Sequence, residues 1–167
     1  MEHNKLLKNI DLKMFDITFS DKPIIFGGMA MEYYDIRKHG DDIDFIVSNC
    51  DYLKLEKRYR NCRMDIWGDF AIKVKNYEMF RSIWCFDYDY YVNGSLDFEQ
   101  FKIVSIDILF RMKVFAMDSD DKHKRDVELL KKYFMKFQNK EYNIYMDKNV
   151  DRYLKAENGL IINGDYY

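Results

Sequence analysis

Pro23-Ile24-Ile25-Phe26-Gly27-Gly28-Met29-Ala30, followed one helical segment later by Asp42-Ile43-Asp44-Phe45-Ile46-Val47, is the stretch that decides how this chain is read. Pro23 to Phe26 predicts a short buried strand that runs into the glycine pair. Met29 to about Lys38 predicts a helix, with Gly40 as its stop. Asp42 to Val47 alternates and then turns apolar, which predicts a second strand. Side chains two apart on a strand share a face, so the Asp42 and Asp44 carboxylates stand side by side. Such a pair repels itself unless a cation lies between, and Mg²⁺ is suited by one or two carboxylates plus phosphate oxygens and water. The two glycines allow close backbone approach to a phosphate and open a helix N-terminus, where free N–H groups attract anions. A phosphate cradle and a metal site joined by one helix are the equipment for phosphoryl or nucleotidyl transfer.

Outward from this stretch, residues 3 to 16 carry apolar positions at helical spacing (Leu6, Leu7, Ile10, Met14, Phe15), ended by the break Asp21-Lys22-Pro23. Cys50 to Tyr59 predicts a helix. Arg63 to Trp67 and Phe70 to Lys75 predict strands joined by a turn at Gly68-Asp69. Glu78 to Tyr91 is aromatic-rich and fits no single period. Phe101 to Val104 predicts a strand, and Ser105 an N-cap for a helix over Ile106 to Met117 with Asp107 in its first turn. Val127, Leu130, Phe134 and Phe137 stripe a last helix, and beyond Asn139 the tail is polar and tyrosine-rich. The order predicts an α/β (α+β) domain: a small mixed sheet flanked by helices, with C-terminal helices. At 167 residues the chain reads as one domain, its core about 22–117 and a C-terminal helix and tail at 118–167.

The 27 basic and 29 acidic residues nearly cancel, which excludes a generally basic nucleic-acid coat. No apolar run nears the ~20 residues that span a membrane, and Met1 to Ile10 shows no signal-peptide core. Cys50, Cys62 and Cys85 are an odd set without metal-type spacing, which favours reduced thiols and a cytoplasmic location. His3, His39 and His123 are dispersed and form no zinc or triad pattern.

Asp-x-Asp alone is weak: three such pairs occur among 21 aspartates, Asp42/Asp44, Asp87/Asp89 and Asp118/Asp120, close to the roughly 2.6 that composition gives. Only the first has a strand pattern and an upstream glycine pair. That conjunction, Phe26-Gly27-Gly28-Met29-Ala30 with Arg37 and then Asp42-Ile43-Asp44-Phe45, resembles the signature of the DNA polymerase beta-type nucleotidyltransferase superfamily. It is most similar to the small adenylyltransferase-like branch that includes antibiotic-modifying, toxin–antitoxin and abortive-infection enzymes. Val104 to Lys113, then Lys124-Arg125-Asp126-Val127-Glu128-Leu129-Leu130, resembles that branch's C-terminal helical pattern, so the likeness spans residues 22–134. It departs at Lys38-His39-Gly40-Asp41, where the family often has Thr or Ser.

The resemblance implies the nucleotidyltransferase fold and transfer of a nucleoside monophosphate, AMP first, from an NTP to a hydroxyl of a small molecule, RNA or protein. It implies two Mg²⁺ ions, or Mn²⁺, on Asp42, Asp44 and a third carboxylate. For that third acid the resemblance selects Asp65, flanked by Met64 and Ile66, with Asp69 and Glu78 as alternatives. Gly27, Gly28, Arg37 and Lys113 would contact the nucleotide. Each residue also has a plainer reading. Gly27-Gly28 can be a tight turn, Arg37 a helix-end charge, and Lys113 the ion-pair partner of Asp126. Asp87-Tyr88-Asp89-Tyr90-Tyr91 reads as a solvated, aromatic-lined surface, and Cys85 beside Trp84 as core. A protein of this fold without catalysis, binding a nucleotide or a partner as an antitoxin-like or regulatory module, is the competing function.

Overall fold

The structure, a computed structural model, describes residues 6–8, 10–66 and 68–137. A seven-stranded mixed sheet forms its centre. The strands, in chain order, are β1 (Ile24–Ile25), β2 (Ile43–Ile46), β3 (Arg63–Ile66), β4 (Asp69–Val74), β5 (Tyr77–Phe80), β8 (Leu96–Asp97) and β9 (Lys102–Ile103), and β6 (Ser82–Ile83) with β7 (Phe86–Asp87) forms a separate small ribbon. Across the sheet the order is β3-β4-β5-β2-β1-β9-β8. β1 runs antiparallel to β2 and parallel to β9, while β2 and β5 are parallel. The helices are α1 (Gly27–Tyr33), α2 (Asn49–Arg58), α3 (Tyr88–Tyr91), α4 (Ile106–Phe115) and α5 (Asp121–Phe137). The expected α+β class is the observed one.

Both faces of the sheet are covered, which is why Ile24, Ile25, Phe45 and Ile46 on the central strands are all buried. The pleat sorts them. Phe45 stacks on Tyr77 at 6.0 Å, and Tyr77 meets Phe15 edge-on at 5.6 Å, beneath one face. On the other face Phe80 packs against Phe26, which stacks on Tyr91. α4 and α5 join through Phe110 and Phe134, with Leu109, Val127 and Leu130 buried. Ser105 caps α4 by accepting from the Ile108 N–H, as its sequence position predicts.

Several expectations need adjusting. Part of the helix expected over residues 3 to 16 lies outside the described residues, and Leu12–Phe15 is a single 3₁₀ turn, capped by Asp11 and closed by left-handed Asp16. α1 stops at Tyr33, well before Lys38, and Asp35 adopts φ +55° two residues later. Glu78 to Tyr91 conceals β5, the β6–β7 ribbon and α3, four short elements too brief for any period to emerge. Tyr91 is fully buried, whereas Cys85 and Trp84 are exposed, the reverse of the apolar reading of that pair. Residues 138–167, including the tyrosine-rich tail, lie outside the described residues. No described helix is long and apolar enough to cross a membrane.

Candidate active site

The glycine pair leaves β1 beside the start of β2. The Phe26 N–H donates to the Asp44 carbonyl at 3.1 Å, which fixes the turn against the acid strand. Gly27 has φ +61°, and a Cβ there would lie 2.2 Å from Asp44 Oδ2. Backbone conformation and space therefore both require glycine at this position. Gly28 follows in the first turn of α1, where a Cβ would make only ordinary contact with His39.

Cross-strand register decides what Asp44 faces. Asp44 lies opposite Glu78 on β5, and Glu78 lies opposite Lys73 on β4. Residues directly opposite share a face, so Asp44, Glu78 and Lys73 form one row. Asp42, two residues before Asp44, belongs to the same face. Lys73 Nζ lies 2.7 Å from Glu78 Oε1 and 3.0 Å from Asp42 Oδ1, bridging the two acids. Asp42 is half exposed and Glu78 is nearly buried. Burial, then the Glu78 charge, pushes the Asp44 carboxyl up to about 6; Lys113 opposes this and Asp42 adds to it. Hydrogen bonds to Glu78 and then Asp42 raise the Lys73 ammonium above its ordinary range.

Beside the acids sits a second charge cluster. Asp126 on α5 accepts from Arg37 twice, Nε at 2.5 Å and Nη2 at 2.8 Å, and pairs with Lys113 Nζ on α4 at 2.9 Å. Lys113 is buried and also approaches His123 Nδ1 at 3.3 Å. Burial works to raise the Asp126 carboxyl, but the Arg37 hydrogen bonds and the Lys113 charge hold it down at about 2. Lys113 is lowered, chiefly by its own burial, against the pull of Asp126 and Asp44. Arg37 and Lys113 are thus brought together as an ion triad on Asp126, and Lys113 also acts electrostatically on Asp44.

The structure does not bring Asp65 to this site. β4 and β5 stand between its strand and β2, and its partner Phe70 shares the face of Ile72 and Met79, opposite the Asp44 face. Asp65 is exposed and accepts from the Gly68 N–H at 2.7 Å, a turn-capping role. Asp69 is on the acid face but lies four residues up β4 from Lys73, roughly 13 Å along the strand, and accepts from the Trp84 N–H. Glu78 is the acid that faces Asp44. Its surroundings, Tyr77-Glu78-Met79, carry the same apolar-acid-apolar pattern as Met64-Asp65-Ile66, and the two-residue connection Lys75-Asn76 is the signal that would have placed it next to β4. Lys73 is the site residue that the sequence reading missed, because only the hairpin register reveals what it opposes.

Asp42, Asp44 and Glu78 present hard oxygen donors on one face, with the Gly27 backbone packed closely against Asp44 Oδ2, and this donor chemistry fits Mg²⁺ or Mn²⁺. Among the described residues no three His, Cys, Asp or Glu side chains are closed around a single metal position. No family model, no curated protein and no solved structure matches the chain.

Proposed function

We propose that the protein is a metal-dependent nucleotidyltransferase that moves a nucleoside monophosphate from an NTP, ATP first, to an acceptor hydroxyl. The observation that carries this reading is the row of Asp44 and Glu78, joined by Asp42, against a glycine turn with no room for a side chain at Gly27. Bound Mg²⁺ would neutralise the triphosphate and polarise the acceptor hydroxyl. Asp42, Asp44 and Glu78 would hold it. The acceptor oxygen bonds to the α-phosphorus, the bond from that phosphorus to the pyrophosphate oxygen breaks, and the hydroxyl proton passes to a carboxylate of the trio. Lys113, held by Asp126 behind Asp44, supplies positive potential to the acid row. The acceptor is a small molecule, an RNA end or a protein side chain.

A second reading has its own observation in favour. Lys73 already supplies a cation between Asp42 and Glu78, as a metal-free nucleotide-binding or partner-binding module would need. Pyrophosphate release separates the two. Each NTP is incubated with Mg²⁺ and a panel of hydroxyl acceptors, with the wild-type protein and with Asp44→Asn. Release from the wild type that Asp44→Asn abolishes supports transfer. Mg²⁺-independent nucleotide binding without release by any acceptor supports the binding module.

A further inference from the structure

Lys73 is held unlike any other lysine described here. Its ammonium bridges Asp42 Oδ1 and Glu78 Oε1, at 3.0 and 2.7 Å, from the penultimate residue of β4, the strand that neighbours Glu78. The contact is built by strand register: Lys73 opposes Glu78 across β4 and β5, and Glu78 opposes Asp44 across β5 and β2. Without this cation, three carboxylates would share one face with one another as neighbours, a costly arrangement in a partly buried site. Asp44 receives no such bridge. Its neighbour is the bare Gly27 turn. Lys73 therefore joins two of the three carboxylates, Asp42 and Glu78, while Asp44 lies packed against the Gly27 turn.

We infer that Lys73 is a built-in counter-cation that a divalent metal displaces when it enters. It is a latch that holds the acid row together in the metal-free protein and sets the affinity for the metal. This rests on the reading of Asp42, Asp44 and Glu78 as a metal site. A divalent ion held by Asp42 and Glu78 would compete with Lys73 for their carboxylate oxygens, so its entry would weaken or replace the two ammonium–carboxylate contacts. The swap replaces a +1 ammonium by a +2 ion among three carboxylates, so the row becomes one charge less negative. The metal-free protein then holds its acid row with less repulsion than three carboxylates without Lys73 would have, and metal loading becomes an exchange.

The test is Mn²⁺ binding by the full chain, read from the paramagnetic resonance signal of free Mn²⁺, with no nucleotide and no turnover. Three proteins are compared: wild type, Lys73→Met, and Lys75→Met, which removes the same charge from an exposed side chain two residues away. Lys73→Met is expected to bind about tenfold tighter than wild type, because a competing charge at contact distance is gone, and Lys75→Met to stay within about twofold. Wild type binding Mn²⁺ with Lys73→Met no tighter overturns the latch and leaves the metal site standing. Equal tightening in both variants also overturns it, since the effect is then general charge. Absence of Mn²⁺ binding in all three overturns the metal reading and the latch together. Where Lys73→Met does not fold alone, thermal melts with and without Mn²⁺ decide: Mn²⁺ restoring cooperative unfolding supports displacement, and its failure to do so while Lys73→Arg folds contradicts it.

Discussion

Single residues carry the sharpest consequences. Gly27 is constrained twice, by φ +61° and by the 2.2 Å that would separate a Cβ from Asp44 Oδ2. Gly27→Ala is expected to cost roughly 1–3 kcal/mol in thermal or urea unfolding and to impair nucleotide binding, since backbone strain and displacement of Asp44 act together. A Gly27→Ala protein with unchanged stability and binding would remove the close approach from the account. Asp126 is the anchor of the neighbouring charge cluster. Its folded pKa of about 2 lies below the ordinary 3.8, so the unfolded chain takes up the proton first. The stabilisation is complete above pH ~4 and is lost as pH falls from about 4 to about 2, worth roughly 2 kcal/mol across that window. Urea unfolding between pH 2 and 6 shows whether the acid limb disappears in Asp126→Asn. Asp126→Ala at neutral pH should cost about 3–5 kcal/mol, because it strands the buried Lys113 ammonium beside Arg37.

At the scale of elements, the β4–β5 hairpin matters most, because it delivers both Glu78 and Lys73 to Asp44. Its connection is Lys75-Asn76, with Val74 opposite Tyr77, and Lys75 sits at φ +56°. A positive φ at the first residue of a two-residue hairpin turn is the position glycine favours. Lys75→Gly should therefore stabilise the protein by about 0.5–1 kcal/mol, measured as a raised urea midpoint at unchanged slope. A lowered midpoint would mean that the Lys75 side chain contributes more than its backbone costs. The same hairpin explains what sequence could and could not reveal. β1, the glycine turn and β2 were legible because the apolar run, the glycine pair and the alternating acids each carry a local signal. β3 and β4 were legible from their glycine turn. β5 was not: four residues, all buried, followed at once by a two-residue strand, offer no alternation to read. Asp65 and Glu78 look alike locally, each an acid between apolar residues, and only strand order and face distinguish them.

For the molecule as a whole, the site is assembled from distant parts of the chain. The acid row is the central sheet, at β2, β5 and β4. Its electrostatic backing is the C-terminal helix pair, with Lys113 on α4 and Asp126 on α5, tied to Arg37 beyond α1. The fold class was legible because helices and strands interleave along the chain. The alternative ion-pair reading of Lys113 with Asp126 is the contact found, whereas the Arg37–Asp126 fork depends on packing between segments 89 residues apart, which no local pattern encodes. The central claim is that Asp42, Asp44 and Glu78 act as one metal-dependent nucleotide site, with Asp65 outside it. Calorimetric titration with ATP, GTP, CTP and UTP, with and without Mg²⁺, tests it most directly on the wild type, Asp44→Asn, Glu78→Gln and Asp65→Asn. The account predicts Mg²⁺-dependent binding of one nucleotide by the wild type and Asp65→Asn, and its loss in Asp44→Asn and Glu78→Gln. Binding lost in Asp65→Asn but kept in Glu78→Gln, or no Mg²⁺-dependent binding by any of the four proteins, would contradict it.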